Sequence, residues 1–122
     1  MQTALVLIAH GSRRPEANED LRHVADELGR RGHAAVESAY LELAEPDIDE
    51  AAARCAARGA ARVVLVPYFL SAGVHVQRDL TAARERLAAR FPRVEFHLAE
   101  PLGRHPLLVD AVEERVREAI KE

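Results

Sequence analysis

The chain has almost no cysteine and almost no lysine. Cys55 is the single cysteine in 122 residues. That excludes an internal disulfide and a zinc cage built on thiolates, and it fits a reducing, cytosolic setting. Lys121 is the single lysine, so arginine supplies nearly all the positive charge. No polybasic run occurs and the formal net charge is -3. Such a composition carries no electrostatic footprint for nucleic acid or for an anionic membrane surface. No apolar stretch approaches the ~20 residues needed to cross a bilayer. The apolar start has neither a charged lead nor a small-residue cleavage site, so it reads as a strand and not as a signal peptide. Internal repeats, low-complexity segments and linkers are missing as well.

What remains is an ordinary globular composition, 48% hydrophobic and 30% charged, over a length that predicts a single domain spanning 1–122. Short apolar runs alternate with longer amphipathic ones. Ala4–Ala9 (ALVLIA) is too short for a helix and apolar throughout, as a strand buried on both faces would be. Pro15-Glu16 opens a helix with proline in its first turn and an acid beside it. Leu21, Val24, Ala25 and Leu28 fall on one helical face, and Arg30, Arg31 and Gly32 close it. Ala35–Leu43 reads as a second strand, less apolar and so nearer an edge. Pro46-Asp47 starts a second helix ending at Gly59. Ala61–Phe69 is the most hydrophobic strand. A third helix runs from about Val76 to Arg90 with Leu80, Ala83 and Leu87 inward, and Arg93–Ala99 is a fourth strand. Pro106 opens the last helix, for which Val109, Val112, Val116 and Ile120 are the expected inward residues.

Four βα units predict an α/β fold: a three-layer, flavodoxin-like, four-stranded parallel sheet of order 2-1-3-4 with helices on both faces. In such sheets ligands bind beyond the carboxyl ends of the strands, where the strand order reverses. For this order the crevice lies between strands one and three. His10 ends strand one and His75 follows strand three. Two neutral imidazoles on one rim can hold a divalent ion such as cobalt, iron or nickel. The structural alternative for each is a histidine that only bonds a loop carbonyl. Glu42 and Glu45 follow strand two, and Glu100 follows strand four. A carboxylate there could accept protons or add a metal contact, whereas Glu45-Pro46-Asp47 also suits a plain acidic helix start. Arg13, Arg14 and Arg78 flank the two histidine loops, where guanidinium forks would suit a polyanionic substrate. Cys55 reads as a small core residue. His23, His33 and His97 read as structural, and His105 as a helix-start residue.

Four ordered motifs then carry a resemblance: HGSR after strand one, YLELAEPDI after strand two, VPYFLSAGVHVQRD after strand three and AEPLGRHPLL after strand four. Over essentially the whole chain they resemble the small class II chelatases, the short-form sirohydrochlorin cobaltochelatases, with sirohydrochlorin ferrochelatases as relatives. The resemblance implies insertion of a divalent ion, cobalt(II) (Co2+) in the first place and iron(II) (Fe2+) or nickel(II) (Ni2+) otherwise, into the octacarboxylate tetrapyrrole sirohydrochlorin. It implies no cofactor beyond that substrate ion. It makes His10 a metal ligand and proton acceptor, His75 the second ligand and Glu42 a proton or metal relay. Glu45, Leu70, Ser71, Ala72, Gly73, Val74 and His75 would line the tetrapyrrole, and Arg13 would meet its carboxylates. Val74 stands where relatives show charged or polar residues. A homodimer is implied too, since larger members fuse two such domains. Two rival readings remain. A histidine phosphatase needs an arginine immediately before its histidine, and Ala9 stands there. A metal- or tetrapyrrole-carrying module would bind without accelerating insertion.

Overall fold

The computed structural model describes residues 2–121. Its elements run β1 (Thr3–Ala9), α1 (Pro15–Arg30), β2 (Ala35–Tyr40), α2 (Ile48–Ala57), β3 (Arg62–Pro67), α3 (Val74–Arg90), β4 (Glu95–Leu98) and α4 (Pro106–Ile120). The four strands form one parallel sheet in the order β2-β1-β3-β4, the order expected of a flavodoxin-like sheet. Among the described residues no helix is long and apolar enough to cross a membrane.

Strand alternation divides the interior in two. Ala4, Val6 and Ile8 of β1, with Val63 and Leu65 of β3 and Phe96 of β4, point to one face and pack with Ala51 and Cys55 of α2 and Leu80, Ala83 and Leu87 of α3. The three inward residues expected of the third helix are buried, and Cys55 is a core residue, fully buried. The opposite face carries a smaller cluster: Leu7 and Tyr40 against Leu21 of α1, with Val24, Ala25 and Leu28 partly buried beside them.

β3 and β4 are shorter than the sequence reading, Arg62–Pro67 against Ala61–Phe69 and Glu95–Leu98 against Arg93–Ala99, and α2 ends at Ala57 and not at Gly59; three further differences bear on the site. β2 stops at Tyr40 and the chain turns through Leu41 to Glu45, where Leu43 takes φ 65, a backbone no strand can contain. α2 starts at Ile48, with the Asp47 side chain accepting from the Glu50 N–H at 2.8 Å as its cap. α3 starts at Val74, so Val74 and His75 belong to its first turn and not to the preceding loop.

The larger correction concerns α4. Val109, Val112, Val116 and Ile120, expected to face inward, are 61%, 63%, 53% and 75% exposed, and the helix has no buried residue. Spacing identifies an apolar stripe; it does not supply a surface to cover it.

Candidate functional site at the carboxyl rim of the sheet

The loops that leave β1, β2 and β3 are tied into one rim. The Leu41 and Glu42 N–H groups donate to the Ala9 and His10 carbonyls at 3.0 Å each, and Tyr68 N–H donates to Ile8 at 2.7 Å. Gly11 takes φ 97, and a Cβ placed on it would stand 1.8 Å from the Glu42 carbonyl oxygen. Only glycine lets the two backbones approach so closely. The loop is braced from α1. The Ser12 N–H donates to the Asn18 side-chain oxygen at 3.0 Å and the Asn18 amide donates back to the Ser12 carbonyl at 2.8 Å. Tyr40 Oη in turn donates to the Asn18 carbonyl at 3.2 Å. Burial pushes that Tyr40 hydroxyl above its ordinary pKa, which keeps it a donor. Nothing in the sequence singled out Asn18; a residue three positions into a helix becomes informative only when the loop it clasps is known.

On this braced rim His10 is exposed, with its ring 4.6 Å from the Phe69 ring, tilted by 44°. Phe69 itself is buried, so the imidazole leans on a fixed wall and faces outward. His75 is exposed in the first turn of α3, following β3, the neighbour of β1. Among the described residues neither imidazole makes a side-chain hydrogen bond within the chain, so their ring nitrogens are not committed to a structural partner. Among the same residues no three His, Cys, Asp or Glu side chains converge to hold a metal. An ion held here would draw its remaining ligands from water or from another bound molecule.

The other expected site residues lie on the same rim. Glu42 and Glu45 are exposed in the turn after β2, Leu70, Ser71 and Gly73 are exposed between β3 and α3, and Ala72 is half-buried there. Arg13, Arg14 and Arg78 are exposed, and none forms an ion pair among the described residues. Four large apolar side chains stand on the rim and are exposed: Leu43, Tyr68, Leu70 and Val74. Leu43 escaped the sequence reading because only its left-handed backbone turns it out of the strand. Beside them a groove of about 620 Å³ runs between the β3–α3 and β4–α4 loops, lined by Ser71, Gln77, Glu100, Arg104 and His105 among others. His105 caps α4, its Nδ1 accepting from the Leu107 N–H at 3.1 Å, as its place before proline suggested. His33 lies at the opposite end of the sheet, and His23 and His97 are exposed on α1 and β4.

This chain is similar to several characterised proteins. It is 36% identical over 117 residues to the chloroplastic sirohydrochlorin ferrochelatase of Arabidopsis thaliana, covering 95% of this chain and 52% of that one. It is 35% identical over 116 residues to the sirohydrochlorin cobaltochelatase of Sulfolobus acidocaldarius, covering 95% and 91%. The crystal structure of the sirohydrochlorin chelatase SirB from Bacillus subtilis subspecies spizizenii in complex with cobalt superposes with a TM-score of 0.85 at 27% identity, over 97% of this chain and 51% of that one. The chain thus spans about half the length of two of these relatives and nearly all of the third. The CbiX family model matches residues 4–119, which takes in all four strands and the rim just described, and the chain belongs to the CbiX family.

Proposed function

We propose that this chain inserts a divalent metal ion, cobalt(II) in the first place with iron(II) and nickel(II) as the alternative ions, into sirohydrochlorin. The observation that carries this reading is the rim. An imidazole free of structural hydrogen bonds stands beside exposed Leu43, Tyr68, Leu70 and Val74. Apolar side chains grouped in the open are a surface for something flat and apolar to cover, and a macrocycle laid on them would present its nitrogens to His10. The family match and the names of the cobalt- and iron-inserting relatives support the same chemistry.

Metallation removes two pyrrole N–H protons as one divalent ion enters, so charge balances with no oxidant or reductant and no cofactor beyond the substrate ion. His10 ligates the incoming ion through its one free lone pair and, once the ion has passed to the ring nitrogens, takes up a pyrrole proton on the nitrogen so freed, with the Phe69 ring behind it limiting its rotation. His75 is the second ligand. Two nitrogen donors hold the ion weakly enough to release it and leave positions open for the ring nitrogens. Glu42, fixed through its backbone to His10, passes protons to solvent. Glu45 and residues Leu70 to His75 line the macrocycle, and Arg13, with Arg14 and Arg78, meets its carboxylates as charge-assisted pairs. The chain works in the reducing cytosol and as a pair of copies.

Visible-band spectroscopy of sirohydrochlorin with cobalt(II), iron(II) or nickel(II) tests this. The purified chain accelerates insertion of at least one ion over the protein-free control, and His10→Ala lowers that rate by about 10²-fold or more, the usual contribution of a positioned acid or base. Binding without acceleration for all three ions leaves a carrier module instead, and a full rate in His10→Ala removes His10 from its role.

A further inference from the structure

The sheet has a half-face that no helix of its own chain covers. On the α1 side, α1 lies over β1 and β2, where Leu7 and Tyr40 are buried. The β3 and β4 residues that point the same way are Arg62, Val64 and Val66, and Glu95 and His97; none is fully buried, and only Val66 packs against the cluster under α1. Leu5, Val64 and His97 stand in register across β1, β3 and β4, so this is one continuous strip. The strip is apolar along β1 and β3 and charged at the β4 margin, where Arg62, Glu95 and His97 pair with one another.

In the same chain α4 presents the complementary surface. Its stripe of Val109, Val112, Val116 and Ile120 is open along its whole length, bordered by Glu113 and Arg117. At 15 residues the helix is roughly 22 Å long, against about 20 Å for the six residues of β3. Its direction is fixed at the root. Gly103 N–H donates to the Phe69 carbonyl at 3.3 Å, a Cβ on Gly103 would stand 1.9 Å from the Leu70 carbonyl oxygen, and His105 caps the first turn. The helix leaves its own body on a pinned loop and does not return over the open strip.

We propose that α4 of one copy lies across the uncovered β3–β4 half-face of a second copy, reciprocally. The proposal rests on the reading that two copies pair, and it adds which surfaces meet. Three observations select a second copy as the occupant. The two unpartnered surfaces match in length and apolar character and occur in one chain, as a self-complementary two-fold contact requires. Both carry charges of either sign at their margins, so Glu113 and Arg117 have partners in Arg62, Glu95 and His97. The area also suffices: five exposed apolar side chains per helix, Leu107 included, at roughly 60 Å² each give about 300 Å² per helix. Two helices and the two strips receiving them reach roughly 1,200 Å², the lower bound of specific interfaces.

The test uses the 122-residue chain, whose one native thiol is buried and stays out of cross-linking. Val64→Cys and Val116→Cys are prepared separately, mixed and treated with a short bismaleimide, and mass is read by light scattering before and by denaturing gel after. A two-chain mass with cross-linked dimer in the mixture, and little in either variant alone, is the expected result. A two-chain mass with efficient cross-linking of Val116→Cys to itself overturns the exchange in favour of helix-to-helix contact, while the pairing reading stands. A one-chain mass at all concentrations overturns both. Val112→Asp with Val116→Asp, on a surface open in the single chain, shifts the mass to one chain and leaves helical circular dichroism unchanged; an unshifted mass overturns the proposal. Insertion activity is scored separately, so a dimer without activity counts against the chelatase reading alone.

Discussion

Helices α3 and α4 are nearly equal in length, both carry an apolar stripe, and they behave oppositely. α3 buries Leu80, Ala83 and Leu87 against β1, β3 and β4. α4 buries nothing. By stripe alone α4 is the more amphipathic-looking of the two, with four β-branched residues on one side. Helix stability in a protein comes chiefly from packing of an apolar face, so α3 belongs to the cooperative core of one chain, whereas α4 depends on what it meets outside. The difference teaches that amphipathicity reports a demand for cover, and that topology decides whether the same chain meets it.

The strongest way to break this contrast is to truncate one side chain on each helix. Leu80 is fully buried, and Leu80→Ala should lower unfolding free energy by about 2–5 kcal/mol through lost transfer energy and the cavity left behind. Val116→Ala removes two methyl groups that already face solvent, and in dilute protein it should change stability by less than about 0.5 kcal/mol. Urea denaturation at low concentration measures both. Equal losses would mean that α4 packs within its own chain. Repeating the scan at high protein concentration sharpens the point, because the Val116→Ala loss should then grow with concentration while the Leu80→Ala loss is present at every concentration.

A smaller effect reports on the closed side alone. Burial on the inward face of α2 pushes the Cys55 thiol from its ordinary 9.0 up to about 11, with the nearby Glu37 carboxylate adding to the shift. The folded chain therefore keeps a proton that the unfolded chain releases between about pH 9 and pH 11. Stability from this source is complete below pH 9 and is lost as pH rises through the folded value, by roughly 2.7 kcal/mol for two pH units. With one lysine in the chain, few other groups compete in that window. Cys55→Ala should flatten the decline in denaturant midpoint between pH 9 and 11; an unchanged slope would show that the thiol ionises freely and that the α2–α3 side is looser than its packing implies.

How far the sequence carried the reading depends on whether a feature is local. β1 and β3 were legible because a strand buried on both sides is a continuous apolar run, and the order 2-1-3-4 was reached by taking the βα alternation as flavodoxin-like. That order alone puts His10 and His75 on adjacent loops. The end of β2 was not legible, because Leu41 to Leu43 look like strand and only the close approach of Gly11 to Glu42 turns the chain away. Asn18 was missed because its role depends on the fold of the Ser12 loop that it clasps, and Leu43 because only its left-handed backbone turns it outward. For α4 the stripe was correctly located and its cover wrongly assumed.

The smallest effect addresses what aims α4 away from its own sheet. Gly103 sits where its Cα hydrogen faces the Leu70 backbone, and a methyl group there would collide with the carbonyl oxygen at 1.9 Å. Backbone cannot step aside as a flexible side chain could, so Gly103→Ala must move the β4–α4 loop off the β3–α3 loop. The cost should be about 1–3 kcal/mol, typical of forcing an extra methyl group into a packed contact. The loop also lines the groove beside the rim, so two properties should change together. The two-chain assembly should weaken because α4 leaves at a new angle, and tetrapyrrole binding should weaken because Leu70 and Ser71 shift. Gly29→Ala is the matched control: Gly29 lies within α1 with nothing near its Cβ, and alanine there should stabilise the helix by up to about 1 kcal/mol while leaving assembly and binding alone. If Gly103→Ala lowered stability but left assembly intact, the loop would be a packing element only, and the aim of α4 would be set by the partner it meets.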